Sequence, residues 1–166
     1  MYSIDGIISR VEEYRQKFLP NADSELVQRL MAAGENIITE AYDTKDTNNV
    51  RYNQHDAYGY AVYYDGSEIQ GTRGYLGAAL SKKPVKLKGE LWYGREAVDK
   101  WLTAYKAPSG NVVTLAAVNA MFYSEIQEKG AYTLKRVYKI LSQTFDQFEE
   151  LKNTLETEYN VTIVTA

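Results

Sequence analysis

The run Val112-Val-Thr-Leu-Ala-Ala-Val118 constrains the fold more than any other feature of this chain. It is apolar at odd and even positions alike, so a strand built from it has no side to turn toward water. Such a strand needs cover on both faces, from other elements of the chain or from a neighbouring subunit. With 166 residues, 45% of them hydrophobic and 25% charged, the chain has room for one ordinary core, and its composition points neither to disorder nor to a fibrous repeat. A single domain over residues 1–166 is expected, with a loop excursion at about 74–90, where Gly, Ala, Lys and Pro84 mix without period.

The cover can come from amphipathic helices. Ile4, Ile7, Ile8, Val11, Tyr14 and Phe18 recur at three- and four-residue steps and predict a first helix, ended by Pro20. A second opens at Asp23 or Ser24, either of which can cap free N–H groups, and runs through Val27, Leu30, Met31, Gly34, Ile37, Ile38 and Ala41. Gly34 inside it marks either the close approach of another backbone or a merely tolerated glycine. A third, Arg95 to Tyr105, puts Val98, Trp101, Leu102 and Tyr105 on one face and stops at Ala107-Pro-Ser-Gly110. One or two helical turns fit Met121 to Gln127. The longest helix, about Thr133 to Tyr159, carries Leu134, Val137, Tyr138, Leu141, Phe145, Phe148, Leu151 and Leu155, and a short strand, Val161 to Val164, follows.

Strand periodicity is plainest at Tyr58, Tyr60, Val62 and Tyr64, which alternate with Gly59, Ala61 and Tyr63. Asp65-Gly66 suits the positive φ angles of a tight hairpin, with a returning strand from Ser67 to about Arg73. These elements predict an α+β fold: N-terminal and long C-terminal helices packed on a small, mainly antiparallel sheet that includes Tyr58–Tyr64 and Val112–Val118.

Signals for chemistry are sparse. The chain has no cysteine, which excludes disulfides and thiol chemistry, and one histidine, His55, which argues against a zinc centre. No Gly-x-Ser-x-Gly elbow singles out a serine, and no phosphate-cradling glycine loop is present. Asp43, Asp46, Asp56 and Asp65 lie near one another in sequence without calcium-loop spacing, and such residues commonly cap helices and make turns. No cofactor, no metal and no catalysis are therefore expected. The enzymatic alternative is a small hydrolase using His55 and the loop carboxylates. Acidic Asp5 and the lack of a basic stretch ahead of an apolar one do not read as a signal peptide, which makes the sequon Asn160-Val-Thr162 an accidental match. No apolar run approaches the roughly 20 residues that cross a bilayer, so a chain without membrane contact, soluble where it is made, is expected.

Two surface signals remain. The net charge of −3 hides a segregation: between Arg73 and Lys106, eight basic residues (Arg73, Lys82, Lys83, Lys86, Lys88, Arg95, Lys100, Lys106) stand against three acidic ones, so the rest of the chain is strongly acidic. That polarity favours head-to-tail contact between copies or a negatively charged partner, although charge runs also simply face water. The second signal is fifteen tyrosines, five of them (Tyr52, Tyr58, Tyr60, Tyr63, Tyr64) in one short segment. Tyrosine brings a flat apolar body and a hydroxyl at low rotamer-entropy cost, which suits an intermolecular interface as well as the core and rim of the chain's own sheet. Stacking of single-stranded nucleic acid on these rings is a third option, with the lysines at 82, 83, 86 and 88 as its basic side.

In organisation the chain resembles the small tail-completion, or neck, proteins that join head and tail in long-tailed bacteriophages. Asp46-Thr47-Asn48-Asn49-Val50-Arg51-Tyr52-Asn53 is similar to that family's Asp-Thr-Gly-Asn-Leu-Arg-x-Ser motif after the N-terminal helices. Asp56 to Gly66 is similar to its first strand and turn, and Val112 to Glu125, ending Phe122-Tyr123-Ser124-Glu125, to its apolar strand leading into a tyrosine-containing helical turn. Asn48 stands where the family has glycine, Asn53 and Gln54 where it has serine, and the long C-terminal helix has no clear counterpart. The resemblance implies a structural virion protein, made in the bacterial host cytoplasm and assembled as a ring at the head–tail junction. Its partners would be other copies of itself, neighbouring neck and tail proteins and, transiently, DNA passing through the lumen. On that view Tyr58, Tyr60, Tyr63, Tyr64, Arg73, Lys82, Lys83, Lys86 and Lys88 are the expected interface residues.

Overall fold

The structure is a computed structural model that describes residues 3–10, 20–43, 57–76, 85–87, 90–92, 94–120 and 140–166. The described helices are α1 (residues 4–10), α2 (Glu25–Asp43), α3 (Gly94–Ala104) and α4 (Ile140–Tyr159). The strands are β1 (Tyr58–Tyr64), β2 (Ser67–Glu68), β3 (Gly74–Tyr75), β4 (Val85–Leu87), β5 (Glu90–Trp92), β6 (Val112–Asn119) and β7 (Thr162–Thr165). The class is α+β, as the periodicities predict: helices from both ends of the chain accompany a mostly antiparallel sheet. None of the described helices is long and apolar enough to cross a membrane.

β6 takes the central position that its two-sided apolar pattern demands. It pairs antiparallel with β1 over the whole of that strand, from Tyr58 opposite Asn119 to Tyr64 opposite Val113, and parallel with β7 on its other side. Residues 113–118 are all buried. On one face of the sheet Tyr60, Val62, Val113, Leu115, Ala117 and Ile163 meet α2 and α4 in a single apolar cluster. α2 contributes Leu26, Val27, Leu30, Ala33, Ile37, Ile38 and Ala41, the stripe that its three- and four-residue spacing foretells, and α4 adds Phe148 and Leu155. Arg29 ties the two helices at their rim by an ion pair with Glu158 at 2.8 Å. The opposite face is covered by α3, whose Val98 and Leu102 pack on Ala61, Tyr63, Ala116 and Val118.

Local signals explain the turns and ends. Asp65 and Gly66 both have positive φ, 49° and 80°, the geometry that joins two strands by a two-residue loop. The Asp65 carboxylate accepts the Gly110 N–H at 2.6 Å and so anchors that turn to the loop leading into β6. Ser24 precedes α2 and its carbonyl accepts the Gln28 N–H, while its hydroxyl accepts the Asn21 N–H at 2.9 Å. α4 stops where Asn160 adopts φ 51°, the left-handed residue that closes many helices.

Three expectations are corrected. The returning strand is not continuous from Ser67 to Arg73: β2 and β3 each pair with a separate half of β1, and between them the Thr72 hydroxyl takes the place of a backbone partner. It accepts the Val62 N–H at 3.1 Å and donates to the Ile69 carbonyl at 2.7 Å. The segment 74–90, read as a loop excursion, contains β4, which pairs antiparallel with β5 at its far end, from Val85 opposite Trp92 to Leu87 opposite Glu90. Gly34 makes room for a ring rather than a backbone, since a Cβ there would lie 2.7 Å from the Tyr60 ring. Of the longest predicted helix, 133–139 lies outside the described residues, as do the turns expected at 121–127.

Candidate interaction surface

The tyrosine strand is the first place to seek a surface, and its rings mostly turn inward. Tyr58, Tyr60 and Tyr63 are buried within the chain at 0%, 6% and 2% exposure, which corrects their assignment to an interface. Tyr60 projects toward α2 and fills the gap between Gly34 and Gly74; a side chain at Gly74, its cross-strand partner, would overlap the ring. Burial raises its pKa first, and the nearby Glu35 charge adds to the effect. Tyr63 projects the other way. Its hydroxyl donates to the Leu102 carbonyl at 2.5 Å, in the last turn of α3, where carbonyls lack helical partners. Burial pushes its pKa up to about 12, with Glu68 adding and Arg73 opposing. Tyr64 alone of the four is half-buried, its hydroxyl donating to the Asn111 side chain at 3.3 Å.

Arg73 is where the expected basic surface begins, and it is already engaged. Its guanidinium holds Glu68 by two bonds of 2.6 and 2.7 Å, Asp99 Oδ1 at 3.1 Å and the Thr103 hydroxyl at 2.7 Å. The Tyr75 hydroxyl donates to the same Asp99 oxygen, and the Arg95 guanidinium lies over the Tyr75 ring at 3.8 Å. Hydrogen bonding to Glu68 leads the effects that raise the Arg73 pKa, against desolvation. The arrangement clasps α3 to β2 and β3 across the sheet's edge, and its donors and acceptors satisfy one another. It is a structural joint rather than an anion site.

Lys86 lies in β4, and its side chain is not among those described; Lys82, Lys83 and Lys88 lie outside the described residues, as do His55, Asp46 and Asp56. Asp65 serves its turn. Among the described residues no group of three or more His, Asp or Glu side chains is placed to hold a metal ion.

What sequence reasoning missed is apolar side chains that belong to helical stripes yet face solvent. Ile4, Ile7 and Ile8 on α1 are 76%, 51% and 51% exposed, Trp101 on α3 is 38% exposed and Leu151 on α4 is 36% exposed. Trp101 is held in place: its ring stacks on Tyr105 at 5.2 Å, which in turn meets Tyr63 edge-on at 5.2 Å. The signal was available in the spacing. Trp101 follows Val98 and precedes Leu102, so it lies at the margin of the buried stripe, and a helix with 3.6 residues per turn carries Leu151 away from the line of Phe148 and Leu155.

Among the described residues each edge of the main sheet carries one interruption to strand pairing. On β7 the outward Ile163 N–H is accepted by Glu156 at 2.7 Å, and the other edge is broken between β2 and β3 at Thr72. No family model, curated protein or solved structure matches the chain.

Proposed function

We propose that the chain is a structural subunit that assembles with copies of itself as a ring at the head–tail junction of a long-tailed bacteriophage, touching neighbouring neck and tail proteins. The observation that carries this reading is the apolar stripe Ile4, Ile7 and Ile8 on α1, each more than half exposed. Three isoleucines at i, i+3 and i+4 form a contact ridge of the kind one helix presents to another. The short, interrupted edge formed by β2 and β3 fits the same role, because it offers little length for open-ended strand pairing. The resemblance to tail-completion proteins supplies the place in the virion.

Light scattering of the purified chain at micromolar concentration, alone and mixed with head–tail connector and tail-tube proteins of the same phage, tests the proposal. Defined oligomers or a stoichiometric complex are expected. A chain that stays monomeric in every mixture overturns it. In the assembling case, Ile7→Glu with Ile8→Glu is expected to weaken association without unfolding the monomer.

A further inference from the structure

α3 is held to the sheet in a different way from α2. Val98 and Leu102 are its buried side chains, packed in the small cluster with Ala61, Tyr63, Ala116 and Val118, and the rest of its grip is polar. Arg73 reaches Asp99 and Thr103, Tyr75 reaches Asp99, and Tyr63 reaches the Leu102 carbonyl, all by bonds that water can replace when the helix moves away. Thr114 stands directly opposite Tyr63 in the pairing of β1 with β6, so it lies on the same face. It is 0% exposed and its hydroxyl has no hydrogen-bond partner. Such a group is destabilising while α3 is closed, and water satisfies it once α3 lifts. The chain beyond α3 is fastened to the body: the Gly110 N–H bonds the Asp65 carboxylate, and a Cβ at Gly66 would lie 2.9 Å from the Ser109 hydroxyl. Tyr105 and Lys106 join the helix to that anchor.

We propose that α3 is a lid that lifts from the sheet as a unit, pivoting at Tyr105 and Lys106, while β1, β6 and β7 stay folded against α2 and α4. Lifting uncovers Ala61, Ala116 and Val118, an apolar floor of modest side chains that the closed form hides. The body stays intact because its larger cluster, with Leu30, Ile38, Leu115, Phe148 and Leu155, is buried on the other face and does not depend on α3. Two groups set the balance in opposite directions: the Arg73 clasp holds the lid closed, and the unpartnered Thr114 hydroxyl favours its opening. The motion belongs to the single chain and is independent of whether copies assemble.

The chain has no cysteine, so a single introduced thiol reports on one face of β6. Ala116→Cys places it under α3, and Ala117→Cys, one residue on, places it toward α2. In the full chain under native conditions, iodoacetamide is expected to label position 116 on the order of a hundredfold faster than position 117. Adding Arg73→Met to Ala116→Cys is expected to speed that labelling roughly tenfold, and adding Thr114→Val to slow it roughly tenfold. Equal labelling at the two positions means that the faces open only together, by unfolding of the whole chain, and overturns the lid. A rate at position 116 that Arg73→Met does not raise, or that Thr114→Val does not lower, also overturns it. Hydrogen exchange on the unaltered chain makes the comparison without any substitution: the slowest amides of α3 are expected to exchange faster than the slowest of α2, and matching rates sink the proposal.

Discussion

On the face of the sheet toward α2 and α4, Tyr60, Val62, Leu115 and Ile163 meet a continuous layer of leucine, isoleucine and phenylalanine. On the face toward α3 the strands offer Gly59, Ala61, Tyr63, Thr114, Ala116 and Val118, and a shorter helix adds Val98 and Leu102. The first face has the area to hold by burial, each large side chain contributing roughly 1.5–3 kcal/mol. The second has too little, and directed bonds supplement it: Tyr63 to the Leu102 carbonyl, and Arg73 to Glu68, Asp99 and Thr103. Even so, the Thr114 hydroxyl is buried without a hydrogen-bond partner. The difference teaches that one side of a small sheet can secure the fold while the other is free to display Trp101.

Tyr60→Ala attacks the first face where it is least able to adjust, because Gly34 and Gly74 cannot fill the space the ring leaves. A loss of about 3–5 kcal/mol is expected in denaturant unfolding. If it costs less than Arg73→Met, the contrast between the faces is wrong. Arg73→Met leaves Glu68 and Asp99 without their cation at a partly exposed site, and a loss of about 2 kcal/mol is expected, with α3 amides exchanging hydrogen faster than those of α2. Tyr63→Phe removes one bond and costs about 1 kcal/mol at neutral pH. The wild type should also show an alkaline limit. The Tyr63 pKa is raised in the fold, so its contribution is complete below the unfolded value of about 10 and is lost as pH rises through about 12. The phenylalanine variant should lose stability less steeply over that window. Trp101→Ser is comparable, about 1 kcal/mol for the monomer, since the indole is partly exposed yet stacks on Tyr105.

Elements whose pattern is local were legible in the sequence. α2 could be read from Leu30, Ile37 and Ile38 and their neighbours because every contact they make lies on one helical face, and the central place of β6 follows from a strand with no polar side. The break at Thr72 was not legible, since a threonine in a strand looks the same whether its hydroxyl faces water or substitutes for a backbone group. The clasp could not be read either: Glu68, Arg73 and Asp99 are brought together by α3 folding back over the edge of the sheet, and no spacing announces that. The tyrosines misled for a related reason. Alternation places Tyr60 and Tyr63 on opposite faces, but only the positions of α2 and α3 decide that neither face is exterior. The exposed Trp101 and Leu151 could have been suspected from helical geometry, as both sit off the centre of their stripes.

The antiparallel pairing of β1 with β6 also sets a timetable. Tyr58 and Asn119, partners at one end of it, are 61 positions apart, whereas the Asp65-Gly66 hairpin closes over two residues. Turns and helices can therefore form early from neighbours, and α3 can reach its side of β6 over a short connection, while the side toward α2 must wait for a large loop to close before it is shielded. The strand best fitted to the centre is for that interval the stickiest segment of the chain. Crowded refolding mixtures should consequently lose material to aggregation through β6, and dilution should recover it.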